Sequence, residues 1–439
     1  MKWDELFPWI TFTCKFNHLL ALVGLLTLTL ANTSASWIIY KDHFSNLTAF
    51  PHDIPYDVQQ IDIRHSRISV IDKIGPFPRL QSFTFNNNSL IQFPDFSNAS
   101  DSLTFIYLKS NKIREITSIT PMASLKTLDL RRNYLTEMPD LSNISSSLEV
   151  LMLSGNKIIL IESFPWMPAL RIVYCDNNNL VEFPNLFNVS SSLMKLTITE
   201  QSFSKILALT KLPKLEYFEL GGSKFRQFPD LTNVSSSLVE FRLTFSKVKL
   251  VSYVPKMFKL KRFVLRCNQL HAFPDLTNVS STLEELDLAH NKLETFGFLP
   301  YFRFLRKIIL SENRLTEFPD LSNVGTTLQR LELFKNSIRY IPERLVMSLK
   351  TLNYLDLREN PLLSLPGFCH LNNTIELLLS EPSFNCSWQM AFSKVMESAG
   401  NILFSQASPH CDLPANVANK DWNSITIMDL IEGEGKLVI

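Results

Sequence analysis

The sequence predicts an α/β-type solenoid: a curved stack of short coils with a parallel β-sheet on its concave face and a mostly irregular, short-helical convex side. Three observations carry this expectation. The pattern L-x-x-L-x-L-x-x-N-x-L fits fourteen times, beginning at Val58, Leu80, Leu103, Leu125, Leu148, Leu170, Leu193, Leu215, Leu238, Leu260, Leu283, Leu305, Leu328 and Leu352. Successive starts lie 22 and 23 residues apart in alternation, with a last step of 24, so the true period is a pair of 45 residues. One member of each pair continues into a phrase such as "FPDLTNVSSTLEELDLAHNKL" at Phe273, with relatives at Phe93, Phe228 and Phe318. No unit can bury its leucines alone, so neighbours must stack.

The elements follow in chain order. Residues 1–36 contain "HLLALVGLLTLTLANTSAS", an uncharged stretch from Leu19 to Ala31 followed by small residues, which suits a signal peptide cleaved near Ala35 or Ser36. Such a stretch is short for a membrane span, which needs about 20 apolar residues. Asp4 and Glu5 beside Lys2 and Lys15 keep a retained signal anchor open as the alternative. "MDLIEGEGKLVI" at the other end has neither a spanning helix nor a lipid-anchor tail. The expectation is a secreted protein without a stable membrane span in the mature chain.

Residues 37–57, "WIIYKDHFSNLTAFPHDIPYD", contain no cysteine and are expected to close the first open end with Trp37, Ile38, Ile39 and Phe50. Residues 58–367 carry the repeats. The asparagine at position nine of each unit marks a turn, where its amide can satisfy backbone groups of adjacent coils. Asn88, Asn111, Asn133, Asn156, Asn178, Asn268, Asn291, Asn313, Asn336 and Asn360 hold this place. Ser66, Gln201, Ser223 and Ser246 replace it, and serine hydroxyls are expected to compensate.

Within the phrase, Phe93, Phe183, Phe228, Phe273 and Phe318, with Met138 standing in once, recur every 45 residues and are expected to stack as a second core on the returning side. Asp95, Asp140, Asp230, Asp275 and Asp320 follow the proline, where aspartate suits a turn. They are not a calcium stripe: alternate coils lie about 10 Å apart, and calcium takes oxygens at about 2.3–2.6 Å. N-x-S/T sequons lie at Asn98, Asn143, Asn188, Asn233 and Asn278, again 45 apart, while Asn323 has lost the signal. Further sequons lie at Asn46, Asn87, Asn372 and Asn385. All are glycan acceptors if the chain is secreted. The alternative is that Asn-x-Ser-Ser only shapes a polar turn, and both can hold.

On these repeats the chain resembles the leucine-rich repeat family, which implies a horseshoe of about 14 repeats. Residues 368–439, with "NCSWQMAF" and "HCDLP", resemble the cysteine-containing C-terminal cap of extracellular members. That resemblance implies a disulfide between Cys386 and Cys411, with Trp388 and Phe392 on a helix against the last coil. The family's cysteine doublet is missing, so the partner of Cys369 stays open. Cys175 falls on a core position and reads as a buried thiol; Cys267 lies four coils away, too far to bridge it.

Positions three, five and seven of each unit face outward on the concave sheet. Phe105, Tyr107, Val150, Met152, Ile172, Tyr174 and Tyr217 would form the apolar part of a protein-binding site, beside a later half rich in mixed charge. The bland alternative is that strands favour such residues anyway.

The totals exclude other classes. With 43 basic and 42 acidic residues, a net charge of +1 gives no support to nucleic-acid binding. Eleven glycines leave little phosphate-cradling loop, and no H-E-x-x-H, G-x-S-x-G or C-x-x-C occurs, so no enzyme and no cofactor or metal is expected. The leading reading is a secreted glycoprotein that binds a protein ligand or receptor in adhesion, extracellular matrix or immune recognition. Alternatives are the soluble ectodomain of a Toll-like or adhesion receptor, and a cytosolic repeat scaffold. Whether two arcs pair as a homodimer stays open.

Overall fold

A computed structural model of the chain describes residues 37–366 apart from 45, 207 and 223, then 374–380 and 425; for 383–385, 402–405, 410–413 and 420–421 it describes the backbone. The leader, Asn372 and the side chains of Cys369, Cys386, Cys411, Trp388, Phe392 and Asn385 lie outside the described residues.

Each unit opens with one short strand: β1 (Ile39–His43), β2 (Gln60–Arg64), β3 (Ser82–Thr84), β4 (Phe105–Tyr107), β5 (Thr127–Asp129), β6 (Val150–Met152), β7 (Ile172–Tyr174) and β8 (Lys195–Ile198). β9 (Tyr217–Gly221), β10 (Glu240–Thr244), β11 (Arg262–Val264), β12 (Glu285–Asp287), β13 (Lys307–Ile309), β14 (Arg330–Glu332), β15 (Tyr354–Asp356) and β16 (Ile375–Leu378) continue the series. All pair in parallel with their chain neighbours, and the register equals the repeat spacing, as in Gln60↔Ser82 and Ser82↔Phe105. The sequence period is thus the pairing register of the sheet. The sheet runs past the repeats: Ile375–Leu378 pairs with β15, and Ile402–Ser405 pairs with it in turn.

The turn after each strand has one geometry. Position eight is left-handed in all fourteen units, from His65 to Glu359, and glycine holds it only at Gly155 and Gly222. Position nine then bridges coils. Asn111 donates to the carbonyl of Phe85 in the preceding coil (2.8 Å) and of Leu108 in its own (3.0 Å), and accepts from the N–H of Leu90 (3.0 Å). Gln201 does the same with a longer arm, donating to Cys175 (2.8 Å) and accepting from Leu180 (3.1 Å).

Ser66 and Ser246 do not compensate as expected, and Ser223 lies outside the described residues. The buried Ser66 hydroxyl has no partner, and that of Ser246 reaches only Thr244 in its own coil. The ladder lengthens instead. Strands joined by an amide at position nine pair over three residues, as at Asn111 and Gln201, whereas β1–β2 (Ser66) and β9–β10 (Ser246) pair over five. A bridging amide captures the position-six carbonyl; without it, backbone pairing continues through Leu220↔Leu243 and Gly221↔Thr244. Gly221 permits that approach, because a Cβ there would lie 2.3 Å from the Thr244 carbonyl oxygen.

Inside lies one contiguous core. The separate second stack of phrase phenylalanines is not formed. Phe228 and Phe318 are buried in the common core, and Phe93, Met138, Phe183 and Phe273 pack against it half-buried. Their rings meet core rings, as in Phe183–Phe203 (6.0 Å) and Phe93–Phe96 (5.5 Å). A coil one layer thick has one interior, so both walls drain into it. At the first end, Phe50 meets Phe83 and Phe85, while Trp37, Ile38 and Ile39 remain exposed. There the backbone of β1 covers the edge of β2, and those side chains are not needed as a plug.

The convex side is irregular with single 3-10 turns such as Ser142–Ile144 and Thr277–Val279. The phrase builds these turns. Asp275 accepts from the N–H (3.0 Å) and hydroxyl (2.7 Å) of Thr277, and Asp140, Asp230 and Asp320 repeat the arrangement, which holds their carboxyls below the usual range.

Candidate functional site

The outward side chains of the sheet form two rows. Position three runs Phe105–Thr127–Val150–Ile172–Lys195–Tyr217, and position five runs Tyr107–Asp129–Met152–Tyr174–Thr197–Glu219. The expected apolar residues therefore come together in three pieces. Phe105 and Tyr107 stack at 6.4 Å; Val150, Met152, Ile172 and Tyr174 are direct register partners; Tyr217 stands two strands further on. Lys195 joins the last two, its ammonium 5.2 Å from the Tyr174 ring and 4.3 Å from Tyr217. All seven are half-buried, because strands about 4.8 Å apart crowd their side chains.

Charge on this face is arranged in depth. Asp129 is 1% exposed and is gripped by the Arg131 fork at 2.9 and 2.6 Å, which raises the Arg131 guanidinium. Asp62 with Arg64 and Asp356 with Arg358 repeat the device two residues apart. Glu240 lies between Arg242 and Arg262. Burial pushes the phenols of Tyr107 and Tyr217 up, and Tyr217 donates to Glu219 at 2.5 Å. Both tyrosines are therefore neutral at physiological pH, apolar with one polar tip. Such a face is suited to recognition by contact. Lys195, Arg132 and Asp176 were not singled out by sequence reasoning; for Lys195 the signal was present, since it holds position three between two aromatic units.

The sequon amides have a second role. Asn98, Asn143, Asn188, Asn233 and Asn278 each donate to a carbonyl 24 residues earlier, at 2.7–3.2 Å, forming a bridge between coils on the back. Asn323, which lacks the sequon, makes the same bond to Leu299 at 2.8 Å. The asparagine is thus structural in every copy, and all of them are exposed except Asn188, which is half-buried. Asn46 and Asn87 sit on exposed left-handed turns. Cys175 and Cys267 are free thiols, and burial pushes Cys175 up to about 12.

More exposed aromatics lie elsewhere: on units without the phrase Phe298 is 78% exposed and Trp166, Tyr253, Phe258 and Tyr301 are 59–65% exposed, and Phe44 near the first end and Phe187 within the phrase are exposed as well. They were missed because the repeat pattern says nothing about residues between its anchors. Among the described residues no cluster could hold a metal ion, and no helix is long and apolar enough to cross a membrane.

No protein-family model and no curated protein sequence matches the chain. Solved structures do. An LRR protein of Leptospira interrogans is similar over 73% of this chain and 89% of its own, at TM-score 0.51 and 22% identity. The functional domain of InlJ from Listeria monocytogenes is similar over 73% and 74%, at TM-score 0.50 and 17% identity. A chain of the Drosophila Toll–Spatzle complex is similar over 84% of this chain and 57% of its own, at TM-score 0.61 and 16% identity. At such identities the likeness concerns the fold, and the fold is a leucine-rich repeat solenoid.

Proposed function

We propose that the chain is a secreted glycoprotein that recognises a protein partner through the concave face of its solenoid. The observation that carries this reading is the row of Phe105, Tyr107, Val150, Met152, Ile172, Tyr174 and Tyr217, brought onto neighbouring strands and bordered by charges that largely neutralise one another. A rigid sheet loses little entropy on binding, so half-buried aromatic anchors can contribute most of the affinity. Likeness to a chain from a complex of Toll with Spatzle supports a role in protein binding, and keeps a receptor ectodomain as the second reading. Secretion is supported by the apolar leader and by sequons carried at 45-residue intervals, four of the five with an exposed asparagine.

The test begins with expression in a secreting cell. Recovery from the medium with a glycosidase-sensitive mobility shift supports the reading, and an unshifted intracellular chain supports the cytosolic scaffold. The secreted chain then serves as bait for extracellular proteins. Tyr107→Ala with Tyr174→Ala should weaken the captured partner at least about tenfold without lowering Tm. Unchanged affinity removes the concave face as the binding site.

A further inference from the structure

We propose that a shallow cleft at the carboxyl ends of β4–β7 takes a carboxylate side chain of the protein partner, directly beside the apolar row. This rests on the concave-face reading and specifies the partner's chemistry. The cleft has a volume of about 320 Å³, and Lys109, Arg131, Arg132, Tyr174 and Asp176 are among the residues that line it.

Charge bookkeeping singles it out. Along the rest of the face the cations have partners within the chain: Arg64 pairs with Asp62, Arg242 and Arg262 with Glu240, Lys307 with Glu285, Arg330 with Glu332 and Arg358 with Asp356, while Lys195 lies over the rings of Tyr174 and Tyr217 and Arg266 meets His290. In the cleft, Arg131 is answered by Asp129. Among the described residues, the Lys109 ammonium and the Arg132 guanidinium have neither an ion pair nor a hydrogen bond. Asp176 does not answer them. Its Oδ1 accepts from the N–H and hydroxyl of Thr199 (both 3.0 Å), and its Oδ2 from Thr197 (2.5 Å) and Ser154 (3.2 Å). Four donors occupy its lone pairs and damp its repulsion of an incoming anion. Two cations are thus left to pair with a group that the chain itself does not supply.

Position sets the rest of the ligand. Tyr174 belongs both to the cleft and to the apolar row, and positions five and seven of one strand lie about 7 Å apart. A partner segment would therefore present an Asp or Glu about 7 Å from an apolar side chain, two residues apart when extended. The apolar neighbour favours a protein carboxylate over a sulfated polysaccharide.

The probe is a display library of short random peptides selected on the full chain. The best peptide is then compared with its Asn/Gln analogue on wild type, on Lys109→Ala/Arg132→Ala and on Tyr107→Ala/Tyr174→Ala. We expect enrichment of Asp or Glu next to aromatic or aliphatic residues, and a loss of at least about tenfold on changing acid to amide. That preference should vanish in Lys109→Ala/Arg132→Ala and weaken as salt screens the pair. A pool without acidic enrichment overturns the proposal, as does a preference that survives in the cleft variant. Displacement by heparin fragments without any need for the apolar neighbour also overturns it. If the tyrosine variant loses the peptides while the cleft variant keeps its acid preference, the concave face stands and the cleft falls. If neither variant weakens binding, both fall. Lys109 and Arg132 support no described contact, so unchanged Tm is expected for that variant.

Discussion

Asn111 and Ser66 hold equivalent places in their units and do opposite things. The asparagine joins two coils through three hydrogen bonds; the serine hydroxyl is buried with no partner. Asn111→Ala should destabilise the chain by about 2–3 kcal/mol, because buried backbone groups lose their partners. Ser66→Ala should be neutral or slightly stabilising. Urea denaturation measures both, and equal losses would contradict this account of position nine. Asp287 supplies a second test at this scale. Burial raises its carboxyl, against the N–H of Ala289 and the cations of Arg266 and Lys307, with Glu285 adding to the rise. A carboxyl raised on folding binds its proton more tightly in the folded state, so its ionised form costs stability at neutral pH. Asp287→Asn should therefore raise Tm at pH 7, with the gain fading as pH falls through the raised folded-state range and gone below about 4, where the unfolded carboxyl is protonated too. A lower Tm at pH 7 would show that its charge is needed. The asparagine ladder was legible in the sequence from chemistry alone; the failure of serine was not, because whether a hydroxyl spans two coils depends on their separation.

At the scale of elements, the phrase was legible as scaffold, and the structure explains its one lapse. The sequon is lost at Asn323 because glycine stands two residues on. Gly325 has an ordinary right-handed φ of −61°, but a Cβ there would lie 2.0 Å from the Ser348 carbonyl oxygen. The next unit is the long one, with a helical turn at Glu343–Val346 that brings its backbone close. Gly325→Ser would restore the sequon and should cost about 1–3 kcal/mol through overpacking, seen as a lower urea midpoint. A neutral effect would mean that the helical turn yields easily. Strand lengths were not legible, since three-residue and five-residue strands share one hydrophobic pattern. They follow from which atom captures the position-six carbonyl.

At the scale of the molecule, the spacing of 22 and 23 residues is the register of the sheet, so the curved stack could be read directly from the repeat. Which outward residues touch could also be read, because register partners are repeat equivalents. Two things could not. One is the depth of the concave face, where close strands leave its aromatics half-buried. The other is the set of aromatics on the back, exposed more than any residue of the proposed site. These two surfaces make rival predictions about where a partner sits. Hydroxyl-radical footprinting of the chain with its captured partner decides between them, since Tyr, Phe and Met side chains react readily when solvated. The account predicts protection of Tyr107, Met152, Tyr174 and Tyr217, with Phe298 and Tyr301 labelled as in the free chain. Protection of Phe298 and Tyr301 with the four concave residues unchanged would contradict it.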